Sequence, residues 1–205
     1  MHISHALLAL APALGAAAPL LAARDGQKSA VDLILAALPA TASCPADAPE
    51  CRTAAQAAPF LIEAMQRYEL YTYPEIAAVI ALVGFESVNF RYKHNINNPT
   101  QGTSNQMTQR FIVEYAQSIP EIAPQVTAAA GDAAKLVDIL IDDKYNFGSG
   151  PWFLHTKCNA DVRSALQTTP DQGWARYMRE CVGVDPNQSG RQEVWASAKK
   201  AFGIA

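Results

Sequence analysis

The chain has 205 residues, 50% of them hydrophobic, with 19 acidic against 16 basic side chains and a formal net charge of −3. A mildly acidic chain with no basic run lacks the electrostatic footprint of a nucleic-acid or anionic-membrane binder, so neither partner is expected. The length suits one domain with a core of its own.

In chain order, MHISHALLALAPALGAAAPLL comes first. Its apolar run from Ala6 is too short for a membrane span and ends in small residues, with Gly15-Ala16-Ala17 as a small-x-small cleavage site. Residues 1–17 therefore read as a secretory signal peptide, although His2 and His5 stand where Lys or Arg is usual, and an extracellular location is expected. Residues 18–50 form an N-terminal segment with a short helix over 27–38, and 51–205 the main domain. Cys44, Cys51, Cys158 and Cys181 are an even set, which behind a leader reads as two disulfides. Three pairings are possible, and the sequence-local one, Cys44–Cys51 with Cys158–Cys181, is the simplest. Their spacing is not that of a zinc site, and no metal or other cofactor is expected. Asn187-Gln188-Ser189 is an N-glycosylation sequon; Asn98-Pro99-Thr100 is blocked by its proline.

The remaining elements read as helices. Apolar residues recur at helical spacing over 27–38 and 52–70, and Thr53 with Gln56 fits a capping box, while Pro59 lies inside the second segment. Thr72 and Glu75 fit another box and start a helix through Ser87 that is apolar all round, as a central helix would be. Further helices are predicted over 107–118, 131–142, about 151–157, 170–181 and 189–202, with Trp174 and Trp195 in the core. Residues 88–106, VNFRYKHNINNPTQGTSNQ, read instead as turns with NFRY and GTSN as short extended pieces. The predicted fold class is mainly α, a helical bundle about a central buried helix, with a small hairpin or loop forming one cleft wall.

Glu86 ends the apolar run IAAVIALVGF. A carboxyl group among apolar side chains and at a helix C-terminus is disfavoured in its charged form, so it can hold and donate a proton as a general acid does. The plainer reading is a surface Glu paired with Arg91 or Lys93. Gly148-Ser149-Gly150 near His155 does not form the GxSxG of a serine hydrolase, and helix entry at Pro151 accounts for it better.

A buried helix ending in Phe85-Glu86-Ser87, a polar excursion, then Gly102-Thr103-Ser104-Asn105-Gln106-Met107 and a new helix resembles the lysozyme superfamily of lysozymes, lytic transglycosylases and chitinases. The stretch YNFGSGPWF over 145–153 is similar to one in fungal secreted members. The resemblance implies a secreted, monomeric glycosidase that cleaves an N-acetylated polysaccharide, peptidoglycan or chitin, with Glu86 as general acid. The alternative it leaves is a non-catalytic glycan-binding or host-interaction protein on the same scaffold. Gln101, Asn105 and Gln106 match the family's cleft wall by place, and Tyr92, Tyr145 and Trp152 are either sugar-stacking faces or core residues. Two-carboxylate glycosidases hold a second acid roughly 5 to 9 Å away. None occurs between Ser87 and Val113, which leaves Asp142 or Asp143, the substrate's acetamido group, or Glu86 acting alone.

Overall fold

The structure, a computed structural model, describes residues 28–205, and the predicted leader lies outside them. Among these residues the fold is mainly α, as its sequence patterns predict. Local chemistry starts most helices. Ser29 and Asp32 make a reciprocal capping box for α1 (Ala30–Ala37), and Thr53 and Gln56 do so for α2 (Ala54–Arg67). Pro59 sits inside α2, which nonetheless continues to Arg67.

The third helix, α3 (Tyr73–Glu86), departs from expectation at its start. Thr72 occupies the N-cap position, but its side chain accepts no backbone hydrogen bond. Its hydroxyl donates to Glu75 Oε2 at 2.7 Å, while Glu75, 1% exposed, pairs through its other oxygen with Arg163 Nε at 2.8 Å. A carboxylate taken out of water needs a charged partner more than a helix needs a second cap bond, so the tertiary ion pair prevails. Every residue from Ala77 to Gly84 is buried. The run packs chiefly against α10 (Ser189–Phe202), and also against α1, α7 (Asp143–Lys157) and α8 (Ala160–Thr168). Gly84 admits Leu38, whose Cδ1 would lie 2.5 Å from a Cβ there. This is the central helix.

Between these lie α4 (Gln109–Gln117), a 3₁₀ turn over Pro120–Ile122, α5 (Ala123–Ala129) and α6 (Ala133–Leu140). After α8, α9 (Pro170–Arg176) runs into a π-helical turn over Tyr177–Val182. Three expectations are corrected. Helices α5 and α8 were not foreseen. Helix α7 starts at Asp143, not near 151, and carries Gly148, Gly150 and Pro151 inside it. The NFRY and GTSN pieces are not strands: the excursion holds two isolated bridges, His94 with Gly102 and Gly102 with Met107. The disulfides are Cys44–Cys51 and Cys158–Cys181, the sequence-local pairing.

Candidate functional site

Glu86 closes α3 with its side chain 20% exposed, and its Oε1 lies 2.7 Å from Nη1 of Arg191 in the first turn of α10. The contact is an ion pair by distance, without a hydrogen bond aligned along it. Arg191 is itself 6% exposed; its Nε donates to Gln188 Oε1 at 2.9 Å and its guanidinium stands 4.3 Å over the Phe85 ring. Gly190 keeps that ring close, since a Cβ there would meet Phe85 Cε2 at 2.9 Å. Neither surface partner foreseen for Glu86 is used. Arg91 lies over Tyr92, and Lys93 is buried elsewhere. The purely apolar surroundings expected of Glu86 are thus not what the fold builds. Nearby, Tyr177 is wholly buried with no partner for its hydroxyl; burial, and then the charge of Glu86, push its pKa up.

The chain leaves α3 through an unusual turn. Val88, Asn89 and Phe90 all take left-handed φ, 54°, 57° and 63°. Such conformations cost L-residues roughly 1–2 kcal/mol each. Hydrogen bonds hold the turn: Asn89 N donates to Gly84 O at 2.7 Å, Phe90 N to Ser87 Oγ at 2.8 Å and Ser87 Oγ to Val83 O at 2.6 Å. Arg52 N then ties Phe90 O to the start of α2 at 3.0 Å. Strained backbone over-determined in this way is the kind found beside functional sites.

Beyond it, charged tethers lay the polar excursion on the helices. The Lys93 ammonium donates to Asp143 Oδ1 at 2.6 Å and Ile141 O at 2.8 Å, and Arg52 Nε holds the other Asp143 oxygen at 2.7 Å. His94 faces Glu50 through Nδ1 and Asp138 through Nε2, while Glu50 Oε2 also accepts from the backbone of Lys93 and His94. Asn146 of α7 binds Ser104 twice, accepting from its N–H and donating to its Oγ.

These tethers place the residues singled out by sequence. Asp142 is the N-cap of α7 and Asp143 is shared between Lys93 and Arg52, so both are occupied structurally. Gln101 Nε2 donates to Gln106 O and Gln106 Nε2 to Thr103 O, so these amides serve the excursion itself. Asn105 is 8% exposed and its Oδ1 lacks a partner. Tyr92 stays half-buried under Arg91. Trp152 is corrected to the core: it is 3% exposed on α7, 4.9 Å from the Tyr115 ring. Tyr145, also on α7, lines an open crevice against α2. Sequence reading missed Arg191, Tyr177, Glu50, Asp138 and Asn146. None lies in a local pattern that announces its partner; the partners lie between 42 and 105 positions away or, for Tyr177, are absent.

Fold and site together define a mainly helical protein, stapled by two disulfides, whose central helix ends in a largely buried ion pair and is followed by a strapped polar segment. No family model matches the chain. Over 158 residues, 73% of this chain, it is 45% identical to a Fusarium oxysporum protein described as a bifunctional dioxygenase–epoxy alcohol synthase. The chain spans only 12% of that relative's length. The match corrects the expectations built on the lysozyme resemblance: the relative is described by dioxygenase and epoxy alcohol synthase activities and not by glycan cleavage, and the glycosidase assignment, with its glycan-binding alternative, is withdrawn.

Proposed function

We propose that the chain is a helical module serving oxygen-transfer chemistry of the dioxygenase and epoxy alcohol synthase kind, as a unit that helps hold the reacting molecule rather than one that activates oxygen. The observation that carries this reading is the 45% identity over 158 residues to a segment of a protein with both activities. Reactions of O₂ with organic molecules ordinarily rely on a metal or a redox cofactor. The donor set of the described residues does not fit a protein-ligated metal. All four cysteines are in disulfides, and both ring nitrogens of His94 face carboxylates. The Nδ1 of His155 meets Arg163, and among the described residues no three His, Cys, Asp or Glu side chains are grouped to hold an ion. What the chain does offer is the charge pair of Glu86 and Arg191 near the buried, unpartnered Tyr177 hydroxyl. Two disulfides also support an oxidising compartment.

Deleting the matching segment from the Fusarium protein, and then inserting this chain in its place, tests the reading. Deletion should raise KM or lower turnover in at least one of the two activities, and insertion should restore it. Unchanged oxygen uptake and unchanged epoxy alcohol formation after deletion would sink it, as would a segment-deleted protein that this chain leaves unrestored while the native segment restores it.

A further inference from the structure

Two asparagines, Asn98 and Asn187, are followed two positions on by Thr or Ser, the spacing at which N-linked glycans are attached. The fold separates them. Asn98 precedes Pro99, which blocks the pattern, and its Oδ1 already accepts from the N–H and the hydroxyl of Thr100 at 3.1 and 2.8 Å. Asn187 has Gln188 between it and Ser189, and all three residues are exposed. It sits in the turn Asp185-Pro186-Asn187-Gln188 that leads into α10, with proline at the second position, where its fixed φ suits a turn. Asn187 N donates to Asp185 Oδ1 at 2.9 Å, Gln188 N to Asp185 O at 3.5 Å, and Gln192 Nε2 to Pro186 O. Gln188 Oε1 is taken by Arg191 Nε at 2.9 Å. The turn is thus fixed from several sides. Among the described residues, by contrast, the Asn187 carboxamide and the Ser189 hydroxyl meet no hydrogen-bond partner.

We propose that Asn187 carries an N-linked glycan, added as the chain passes through an oxidising secretory compartment. Transfer joins Asn187 Nδ2 to the anomeric carbon of a lipid-linked oligosaccharide diphosphate. The bond from that carbon to the diphosphate oxygen breaks, the lipid diphosphate leaves, and the amide gives up one proton. Nothing is oxidised or reduced. The folded protein must then hold a bulky, hydrated sugar in solvent. Asn187 meets that demand, because its carboxamide is exposed and serves no bond of the fold, so attachment breaks no contact. The cysteines agree with the compartment: all four are paired, and disulfides form and persist where such chains are glycosylated. The assignment is independent of the oxygen-transfer reading.

The test expresses the full chain with its own N-terminus in a eukaryotic secretory host and reads intact mass before and after peptide N-glycosidase. Peptide mass spectrometry then locates the site, because enzymatic release converts a glycosylated Asn to Asp. The wild type should lose one glycan on release, with the conversion at Asn187 and none at Asn98. Asn187→Gln and Ser189→Ala should both lack the sugar, while Ser189→Thr, which keeps the hydroxyl, should retain it. Both unglycosylated variants should melt with the enzymatically released wild type, since neither side chain has a partner to lose. A wild-type chain without sugar at Asn187, whether secreted or retained, would overturn the proposal. So would sugar that persists in Asn187→Gln or in Ser189→Ala.

Discussion

Glu86 shows how far one contact can reverse a sequence-level expectation. As an acid isolated among apolar side chains, it would be replaced by Gln at no cost in stability, because the neutral isostere is easier to bury. Its partner changes the sign. The Arg191 side chain is only 8% exposed, and Glu86→Gln leaves that guanidinium buried without its counter-charge. Breaking a fully buried pair costs roughly 3–5 kcal/mol. With Glu86 20% exposed, a loss of about 2 kcal/mol is expected, read as a lower urea midpoint at unchanged slope, with partial recovery in Glu86→Gln/Arg191→Met. Two residues on, Val88 is 54% exposed in a left-handed conformation, so its side chain contributes little packing to set against its strain. Val88→Gly should raise stability by about 1 kcal/mol, since relief of roughly 1–2 kcal/mol exceeds the entropy cost of glycine. An unchanged or lower midpoint would show that the turn is not strained.

His94 carries a pH dependence of definite sign. Burial works against its charged ring, but the hydrogen bonds and charges of Glu50 and Asp138 outweigh it and raise its pKa above 6.5. Stability from this group is therefore complete below about pH 6.5 and lost as pH rises through the higher folded value. Glu50 runs the other way: burial opposes its charged form, yet hydrogen bonds from Lys93 and His94 lower its pKa below 4.5. Its contribution is present above about pH 4.5 and lost as pH falls through the lower folded value. The difference in unfolding free energy between wild type and His94→Gln should shrink as pH rises above about 6.5. A difference independent of pH would show that the His94 tether is uncharged.

At the scale of elements, α7 is the instructive helix. Gly148-Ser149-Gly150-Pro151 carries strong local signals for a turn, and single glycines cost a helix about 1 kcal/mol each. The segment is helical because its neighbours come too close for side chains. A Cβ on Gly148 would lie 2.5 Å from Tyr115 Oη, and one on Gly150 would lie 2.6 Å from Val83 Cγ2. Here tertiary packing overrides propensity. Gly148→Ala should cost about 2 kcal/mol by overpacking. Tyr115→Phe alone should cost about 1 kcal/mol, for the lost bond to Tyr145 O. The double variant should cost less than the sum, because the phenylalanine leaves the new methyl group free of its 2.5 Å clash. Additive losses would rule out the steric account. The two unforeseen helices have a different cause. Helices α5 and α8 bury few residues, Ala129 in the first and Val162 and Leu166 in the second, so neither carries a clear apolar period.

At the scale of the whole molecule, the Cys158–Cys181 bridge joins the end of α7 to the π-helical turn after α9. Its sequence separation of 23 exceeds the 7 of Cys44–Cys51, so it removes more freedom from the unfolded chain. Replacing Cys158 and Cys181 with Ala should cost about 3 kcal/mol, and the Cys44, Cys51 pair somewhat less. The equilibrium urea midpoints give both values, and a larger loss at the shorter loop would contradict the ordering.

Sequence by itself determined the helical class, the central place of α3, the Thr53 capping box and the number of disulfides, while the structure decided which cysteines pair. Each of these rests on periodicity, a cap or a count, which are properties of near neighbours in the chain. Only the tertiary structure decided what Glu86 faces, why Glu75 abandons its cap for Arg163, and that His94 and Lys93 strap the excursion to Glu50, Asp138 and Asp143. It also turned GSGP into helix and put Trp152 in the core. Those outcomes depend on charges and surfaces between 33 and 105 positions apart, and no local pattern records which distant group will arrive. The lysozyme resemblance, overturned by the match to the Fusarium protein, also rested on a local feature. A carboxylate at the end of an apolar helix is a local feature, whereas its chemistry belongs to the arginine that folding places 2.7 Å away.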